Sequence, residues 1–363
     1  MKDLHGGNIY KFQREGKDNI LDYSSNINPL GVPQKFIDIA KENFDKLVNY
    51  PDPYYIELRK KIAEFNSINM DNIIVGNGAT EILFLYMRTL KPKKVLLLVP
   101  CFAEYERALK SVSAKIEYFE LKESDNFYPN IENLKREIEN NGYDLLLFCN
   151  PNNPTGQLIN LKDIEKIIKV CENKNTKVFI DEAFIEFVEN WKEKTVSLLK
   201  NKNVFIMRAF TKFFGIPGLR LGYGIALNEN ILKRMWGEKE PWTVNTFANL
   251  AGLTMLDDKD YIEKTEKWIL EEKKFIYKEL SKFQYIKPYE TECNFILIKL
   301  FNISSSSLRD KMVEKNILIR DAANFKFLNE TFVRLAIKDR NSNLKMLKIL
   351  AEFVEDKKIE WRR

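Results

Sequence analysis

Lys212 lies in Arg208-Ala-Phe-Thr-Lys-Phe-Phe-Gly-Ile-Pro-Gly-Leu-Arg-Leu-Gly-Tyr223, an aromatic and glycine-rich turn that carries Arg220 eight residues further on. Phe210, Phe213 and Phe214 around an ammonium would desolvate it, lower its pKa and favour the neutral amine, a nucleophile able to condense with a carbonyl. A lysine at a strand-to-loop edge needs no function by itself, so the rest of the chain must decide. Asp181, in Asp-Glu-Ala-Phe184, ends an apolar run, and a buried carboxylate there must be compensated, for instance by a protonated ring nitrogen. Asn153, in the turn Asn152-Asn-Pro-Thr-Gly156, is an amide that such a turn can point into a cleft. Gly76-Asn-Gly-Ala-Thr-Glu81 follows a strand and opens a helix, so its backbone N–H groups and the helix dipole suit an anion. Glu81 stands where a dinucleotide fingerprint needs its third glycine, and the Gly-Lys-Ser/Thr ending of a P-loop is missing. An isolated phosphate and a plain helix N-terminus both remain open.

Apolar runs rich in Val, Ile, Leu and Phe predict the strands that must carry these groups. They are Ile73 to Val75, Val95 to Val99, Leu145 to Cys149, Val178 to Ile180, Val204 to Met207 and Gly222 to Leu227. Amphipathic segments between them, Thr80 to Leu90 and Leu161 to Glu172, give the α/β alternation of a doubly wound, mainly parallel sheet, in which ligands sit at the carboxyl ends of strands. Helical periodicity is expected over Gln34 to Lys46 and Asn245 to Phe283, and strands over Asn294 to Leu300, Ile317 to Arg320 and Phe332 to Ile337. Ser304 to Ser307 reads as a helix N-cap. The expected organisation is an N-terminal arm and helix (1–45) joining a smaller C-terminal α/β domain (244–363), with a large cofactor-binding domain (46–243) between them.

At 363 residues, 45% hydrophobic and 30% charged, the chain is long enough for one large domain or two moderate ones. A net charge of +6 spread along this length gives little support to nucleic acid or membrane partners, neither of which is expected, and is compatible with a small anionic substrate. Cys101, Cys149, Cys171 and Cys293 stand far apart with no CxxC pair, so no zinc or other metal site and no disulfide framework is expected. The polar start of the chain lacks an apolar signal core, and a cytoplasmic location is expected.

Taken in order, the groups are those needed to hold pyridoxal 5′-phosphate: amides and an arginine for the phosphate, a ring on one face, a carboxylate for the pyridine nitrogen and an amine for the aldehyde. The motifs resemble, over nearly the whole chain, fold-type I pyridoxal-phosphate enzymes of the class I/II aminotransferase superfamily. The branch they look most like contains threonine-phosphate decarboxylase and histidinol-phosphate aminotransferase. The resemblance implies that Lys212 bonds the cofactor aldehyde, Asp181 pairs with the pyridine nitrogen, Asn153 bonds the ring oxygen and Phe102 stacks on the ring. Thr211, Arg220 and the Gly78-Ala79-Thr80 amides correspond to the phosphate cradle. Tyr50, in Asn-Tyr-Pro-Asp-Pro, is similar to a tyrosine that reaches the cofactor phosphate from the partner subunit of a homodimer whose active site lies at the interface. Arg334 looks like the substrate carboxylate clamp and Arg320 like the substrate phosphate partner, both suited to bidentate contact. Ala209 departs from relatives that keep a Ser or Thr there as a further phosphate ligand.

Two features separate the subfamilies. His5-Gly6-Gly-Asn8 and Asp22 to Gly31, which includes Asn26, resemble the start of the decarboxylases, where this segment folds over the substrate. Phe184 stands where the aminotransferases typically keep a tyrosine that bonds the ring oxygen. The implied reaction is decarboxylation of L-threonine O-3-phosphate to (R)-1-aminopropan-2-yl phosphate in cobalamin biosynthesis. The alternative is transamination of L-histidinol phosphate with 2-oxoglutarate. A small rotation of the bound substrate decides which Cα bond stands perpendicular to the ring and breaks. A regulator built on this fold would carry a DNA-binding module, for which no residues are spare before residue 20.

Overall fold

Successive side chains of a strand face opposite ways, and the computed structural model, which describes residues 5–355, shows both faces of one large sheet filled. A short strand, β1 (Leu21–Asp22), precedes β2 (Ile73–Asn77), β3 (Lys94–Val99), β4 (Lys115–Glu120), β5 (Leu145–Cys149), β6 (Lys177–Asp181), β7 (Val204–Ala209) and β8 (Leu221–Ala226). These last seven form a sheet in the order β2-β8-β7-β6-β5-β3-β4. Every pair in it is parallel except those of β8, which runs antiparallel to both β2 and β7. Ile74, Leu97, Leu147, Phe179 and Phe205 pack to one side with the helices Gly78–Leu90 and Glu104–Ser111. Val75, Leu96, Leu146, Phe148 and Ile180 pack to the other with Ile131–Asn141 and Leu161–Asn173. Each such side chain contributes about 1.5–3 kcal/mol on burial, so the strands that carry the site are rigidly seated.

Beyond this sheet lie β9 (Ile286–Pro288), β10 (Phe295–Leu300), β11 (Ile317–Leu318), β12 (Arg320–Asp321) and β13 (Phe332–Ala336). Four of them make an antiparallel sheet in the order β12-β13-β10-β9, while β11 pairs in parallel with β1. The N-terminal stretch is thereby stitched to distant strands: Ala336 N donates to Tyr23 O at 2.9 Å, and Asn294 Nδ2 to Asn26 O at 3.1 Å. The same stretch reaches the lysine turn, where Asn28 N donates to Lys212 O at 3.2 Å and Asn28 Nδ2 to Phe213 O at 2.7 Å.

Several expected elements change at their ends. The helix expected over Gln34 to Lys46 stops at Lys41, where the Asn43 side-chain amide takes the Ile39 carbonyl, and the chain resumes as a 3₁₀ turn over Phe44–Val48. The long helical region divides into Thr246–Met255 and Lys259–Leu280, the second capped by Asp258. The single strand expected over Ile317 to Arg320 switches sheets at Ile319, leaving β11 and β12. Ser304 caps Ser305–Glu314 as expected, accepting from Ser307 N. The four cysteines are buried and unpaired. Among the described residues no helix is long and apolar enough to cross a membrane.

Candidate functional site

The carboxyl ends of β3, β5, β6 and β7 open onto a cleft of about 260 Å³. The structure brings to its lining Phe102, Asn153, Asp181, Thr211, Lys212 and Arg220, together with Ala79 and Thr80 of the helix N-terminus. His5, Gly6, Asn26, Arg320 and Arg334 line it from the other side.

Lys212 sits in the short helix Phe210–Phe213 that follows β7, and is partly exposed to the cleft. Desolvation, then the charges of Arg334 and Arg220, lower its pKa to about 8, so a reactive neutral amine is accessible near neutral pH. The aromatic residues expected to enclose it are buried, with Phe210 stacked on Phe214. Gly215 has φ +63 and lies so close to Gly31 that a Cβ there would come within 2.6 Å of its carbonyl oxygen, which packs the turn against the N-terminal stretch.

Asp181, at the last position of β6, is 5% exposed. Burial pushes its carboxyl up to about 6, opposed by hydrogen bonds from the Tyr105 hydroxyl and the Ala183 amide. Asn153 gives its Oδ1 to Arg334 Nη1 at 2.6 Å, which leaves its amide N–H groups as what it can offer the cleft. Arg334 also donates to Ser24 O at 2.7 Å, and its guanidinium lies 5.3 Å from the Phe295 ring. Burial and the neighbouring Arg320 push Arg334 down to about 9, so this side of the cleft favours an anion. Arg320 is held by the Asp321 carbonyl and by Asn324 Oδ1, over the Phe325 ring.

At the helix Gly78–Leu90, Gly78 has φ +77, and a Cβ there would come within 2.4 Å of Arg220 Nη2. Glycine therefore lets the Arg220 guanidinium close over the first amides of the helix, where an anion is favoured by dipole and charge together. Gly222 plays a similar part from β8, since a Cβ would come within 2.3 Å of Ala79 N. Thr211 is buried beside them, and Ala209 lines the cleft without a hydroxyl.

His5 is bonded through Nε2 to Glu104 Oε1 at 2.8 Å, and its ring lies 5.3 Å from that of Phe102. Gly6 passes so close to Ser24 that a Cβ would meet its carbonyl oxygen at 2.0 Å, and Gly7 N donates to Ser24 Oγ at 2.8 Å. Phe184 lines the cleft, edge-on to Phe295. Tyr50 is the one candidate that does not join the others; it is 80% exposed and packs on Trp242. Sequence reasoning gave no role to Tyr105, Glu104 and Ser24, whose partners lie 17 to 99 positions away in the chain. Tyr105 lies three positions after Phe102 in the sequence, and its ring stands edge-on to that of Phe102.

These residues fit pyridoxal 5′-phosphate. A lysine of lowered pKa, a buried carboxylate that a cationic ring nitrogen would compensate, an amide donor and a cationic helix N-terminus surround one cleft. The absent hydroxyl at Ala209 gives a direct test. Ala209→Ser restores a donor to the phosphate, and a hydrogen bond to a charged group is worth ~1.5–3 kcal/mol. The variant is expected to bind the cofactor about tenfold more tightly, measured by fluorescence titration of the cofactor-free protein.

The profile of the family described as "Aminotransferase class I and II" matches residues 18–352. A protein provisionally named threonine-phosphate decarboxylase from Caldanaerobacter subterraneus subsp. tengcongensis is 42% identical over 354 residues, 97% of this chain and 94% of that protein. The threonine-phosphate decarboxylase of Salmonella typhimurium is 33% identical over 349 residues, 95% of each. Among solved structures, a histidinol-phosphate aminotransferase from Clostridium acetobutylicum is 38% identical with a TM-score of 0.87, covering 93% of this chain and 100% of that one. The histidinol-phosphate aminotransferase of Sinorhizobium meliloti, solved with pyridoxal 5′-phosphate, shares the fold at 17% identity, with a TM-score of 0.86 over 98% of each chain. This chain belongs to the pyridoxal-phosphate-dependent class I and II aminotransferase family.

Proposed function

We propose that this protein decarboxylates a phosphorylated amino acid, L-threonine O-3-phosphate, to (R)-1-aminopropan-2-yl phosphate in cobalamin biosynthesis. The observation that carries this reading is the N-terminal arm: His5 and Gly6 line the same cleft as Lys212, Arg320 and Arg334. Arg334 Nε and Asn26 Oδ1 are buried without partners. An amino acid supplies both an anionic oxygen for the first and an N–H for the second, and Arg320, fixed over Phe325, suits a phosphate.

Bound pyridoxal 5′-phosphate supplies the electron sink for the bond that breaks. Asp181 would hold positive charge at the ring nitrogen, and the Asn153 amide, whose Oδ1 is taken by Arg334, would be free to donate toward the ring oxygen. Arg334 would hold the substrate carboxylate, and Lys212 would return a proton to the α-carbon. Phe184 has no hydroxyl to add a second donor at the ring oxygen. The relatives named threonine-phosphate decarboxylase support this assignment.

A second reading, histidinol-phosphate aminotransferase, is favoured by the 38% identity to the Clostridium acetobutylicum structure. CO₂ release from O-phospho-L-threonine, run against amino transfer from L-histidinol phosphate to 2-oxoglutarate, separates the two. Transfer without CO₂ release would overturn the decarboxylase assignment.

The partner reading is a second copy of the chain. Val48, Tyr50 and Trp242 are 85%, 80% and 45% exposed, with exposed Phe44 and Leu47 beside them in sequence, and apolar groups left open in this way favour association. In the proposed homodimer this surface is covered and Tyr50 reaches the neighbour's cofactor phosphate. Light scattering is expected to give twice the chain mass for the wild type and a shift toward one chain mass for Val48→Asp. A monomeric wild-type protein at micromolar concentration would rule the dimer out.

A further inference from the structure

Asp181 faces a difficulty that its own motif does not resolve. A carboxylate sheltered at the end of a central strand is pushed toward its neutral form, yet pairing with a protonated ring nitrogen requires the anion. Two donors oppose burial. The Ala183 amide, two residues on, bonds Oδ1 at 2.8 Å, and the Tyr105 hydroxyl, from the helix Glu104–Ser111, bonds Oδ2 at 2.6 Å. The amide is fixed by the backbone, so Tyr105 is the side chain through which this carboxylate is set.

Tyr105 is fully buried among the apolar residues on the helix-covered face of the sheet, and its ring stands edge-on to Phe102, with centroids 5.8 Å apart. Burial and the carboxylate raise its own pKa well above the usual phenol value, so it stays a donor at every working pH. The ionisable groups facing Asp181 from the packed elements are Tyr105, Cys149 on β5, Glu182 and Glu186 beyond β6, and Lys212 beyond β7. Burial raises Cys149, which therefore stays a neutral thiol, and the two glutamates act against ionisation of Asp181. Apart from the distant positive charge of Lys212, the side chain that favours the anion is Tyr105.

We propose that Tyr105 is a positioning residue of this active site: its hydroxyl fixes the plane of the Asp181 carboxylate and keeps it ionised for the cofactor. The proposal rests on the cofactor reading of Asp181. Removing the hydroxyl takes a hydrogen bond from the ionised form only, so the sign is upward. A shift of one unit from about 6 would lower the ionised fraction at pH 7 from about nine-tenths to about one-half.

The test uses Tyr105→Phe, which keeps the ring and its packing. In the cofactor-free protein, the carboxyl C=O stretch of Asp181 is followed with pH by isotope-edited infrared difference spectroscopy and assigned by its loss in Asp181→Asn. The apparent pKa is expected to rise by about one unit, and in the cofactor-loaded enzyme the acid limb of kcat/KM is expected to move up by the same amount. Substituting 3-fluorotyrosine at position 105, a stronger donor, is expected to shift both downward, and it serves as the measurement if Tyr105→Phe fails to fold. An unchanged Asp181 titration in the folded variant would overturn the proposal even if activity fell. Failure of the underlying reading looks different: Asp181→Asn would then retain wild-type turnover, whatever Tyr105→Phe did to the titration.

Discussion

Lys212→Ala is expected to lower turnover by roughly 10⁴-fold or more and to abolish the visible absorbance band of the cofactor-loaded protein. In the proposed reaction the lysine would have two tasks: it would hold the cofactor aldehyde and would move the proton at the substrate α-carbon, from the short helix that lines the cleft. Its environment also sets a pH dependence. With the pKa lowered to about 8, the amine is mostly neutral above that pH, whereas an ordinary lysine would require a pH above 10.5. Cofactor capture by the wild-type protein should therefore accelerate as pH rises through about 8 and level off above it. A coloured Lys212→Ala protein, or capture that continues to accelerate up to pH 10, would contradict the assignment.

The second large effect is expected at Arg334. Arg334→Ala removes a cation that acts in two directions, toward the substrate through its unpartnered Nε and toward Asn153 and Ser24 through its two terminal nitrogens. Losing one member of a buried, charge-assisted contact costs about 2–5 kcal/mol, so kcat/KM should fall by roughly 10²- to 10³-fold. Arg334→Lys restores charge but not the planar fork, and it should recover only part of the loss. Because Asn153 is released as well, cofactor affinity should weaken a few-fold in both variants. A drop in kcat/KM of less than about tenfold for Arg334→Ala would show that the substrate carboxylate is held elsewhere.

The parts of this site that could be read in the sequence are those whose chemistry is local. Lys212, Asp181, Asn153 and the glycines near residue 78 each sit at a strand end or helix start, and the apolar runs that place those ends are themselves local patterns. Leu145 to Cys149 was bounded correctly because both sides of a central strand are apolar and the run ends in a turn. The edge strand β4 was not foreseen, since Lys115–Glu120 carries charges at both ends and none of its residues is fully buried. Nor did any local pattern give the antiparallel direction of β8, which depends on where its neighbours lie. The contacts that tune the groups were illegible for the same reason. Asp181 meets Tyr105 across 76 positions of sequence, and Arg334 meets Asn153 across 181, so only the folded chain shows which carboxylate and which amide are held.

The stitching of the first described residues to the last strands has a consequence for the order in which the molecule is made. Residues 21–28 leave the ribosome early, but Leu21 pairs with Ile317, Ser24 with Arg334 and Tyr23 with Ala336. The strands of the large sheet, β2 to β8, can associate while the remainder is still being synthesised, because their partners lie within residues 73–226. Asn28 can meet Lys212 and Phe213 once the lysine turn is made, but residues 21–24 find their partners in β11 and β13 only after about 300 later residues have emerged. A cleft that includes Arg334 beside Ser24 thus forms only after β13 has emerged, later than the large sheet that carries Lys212 and Asp181.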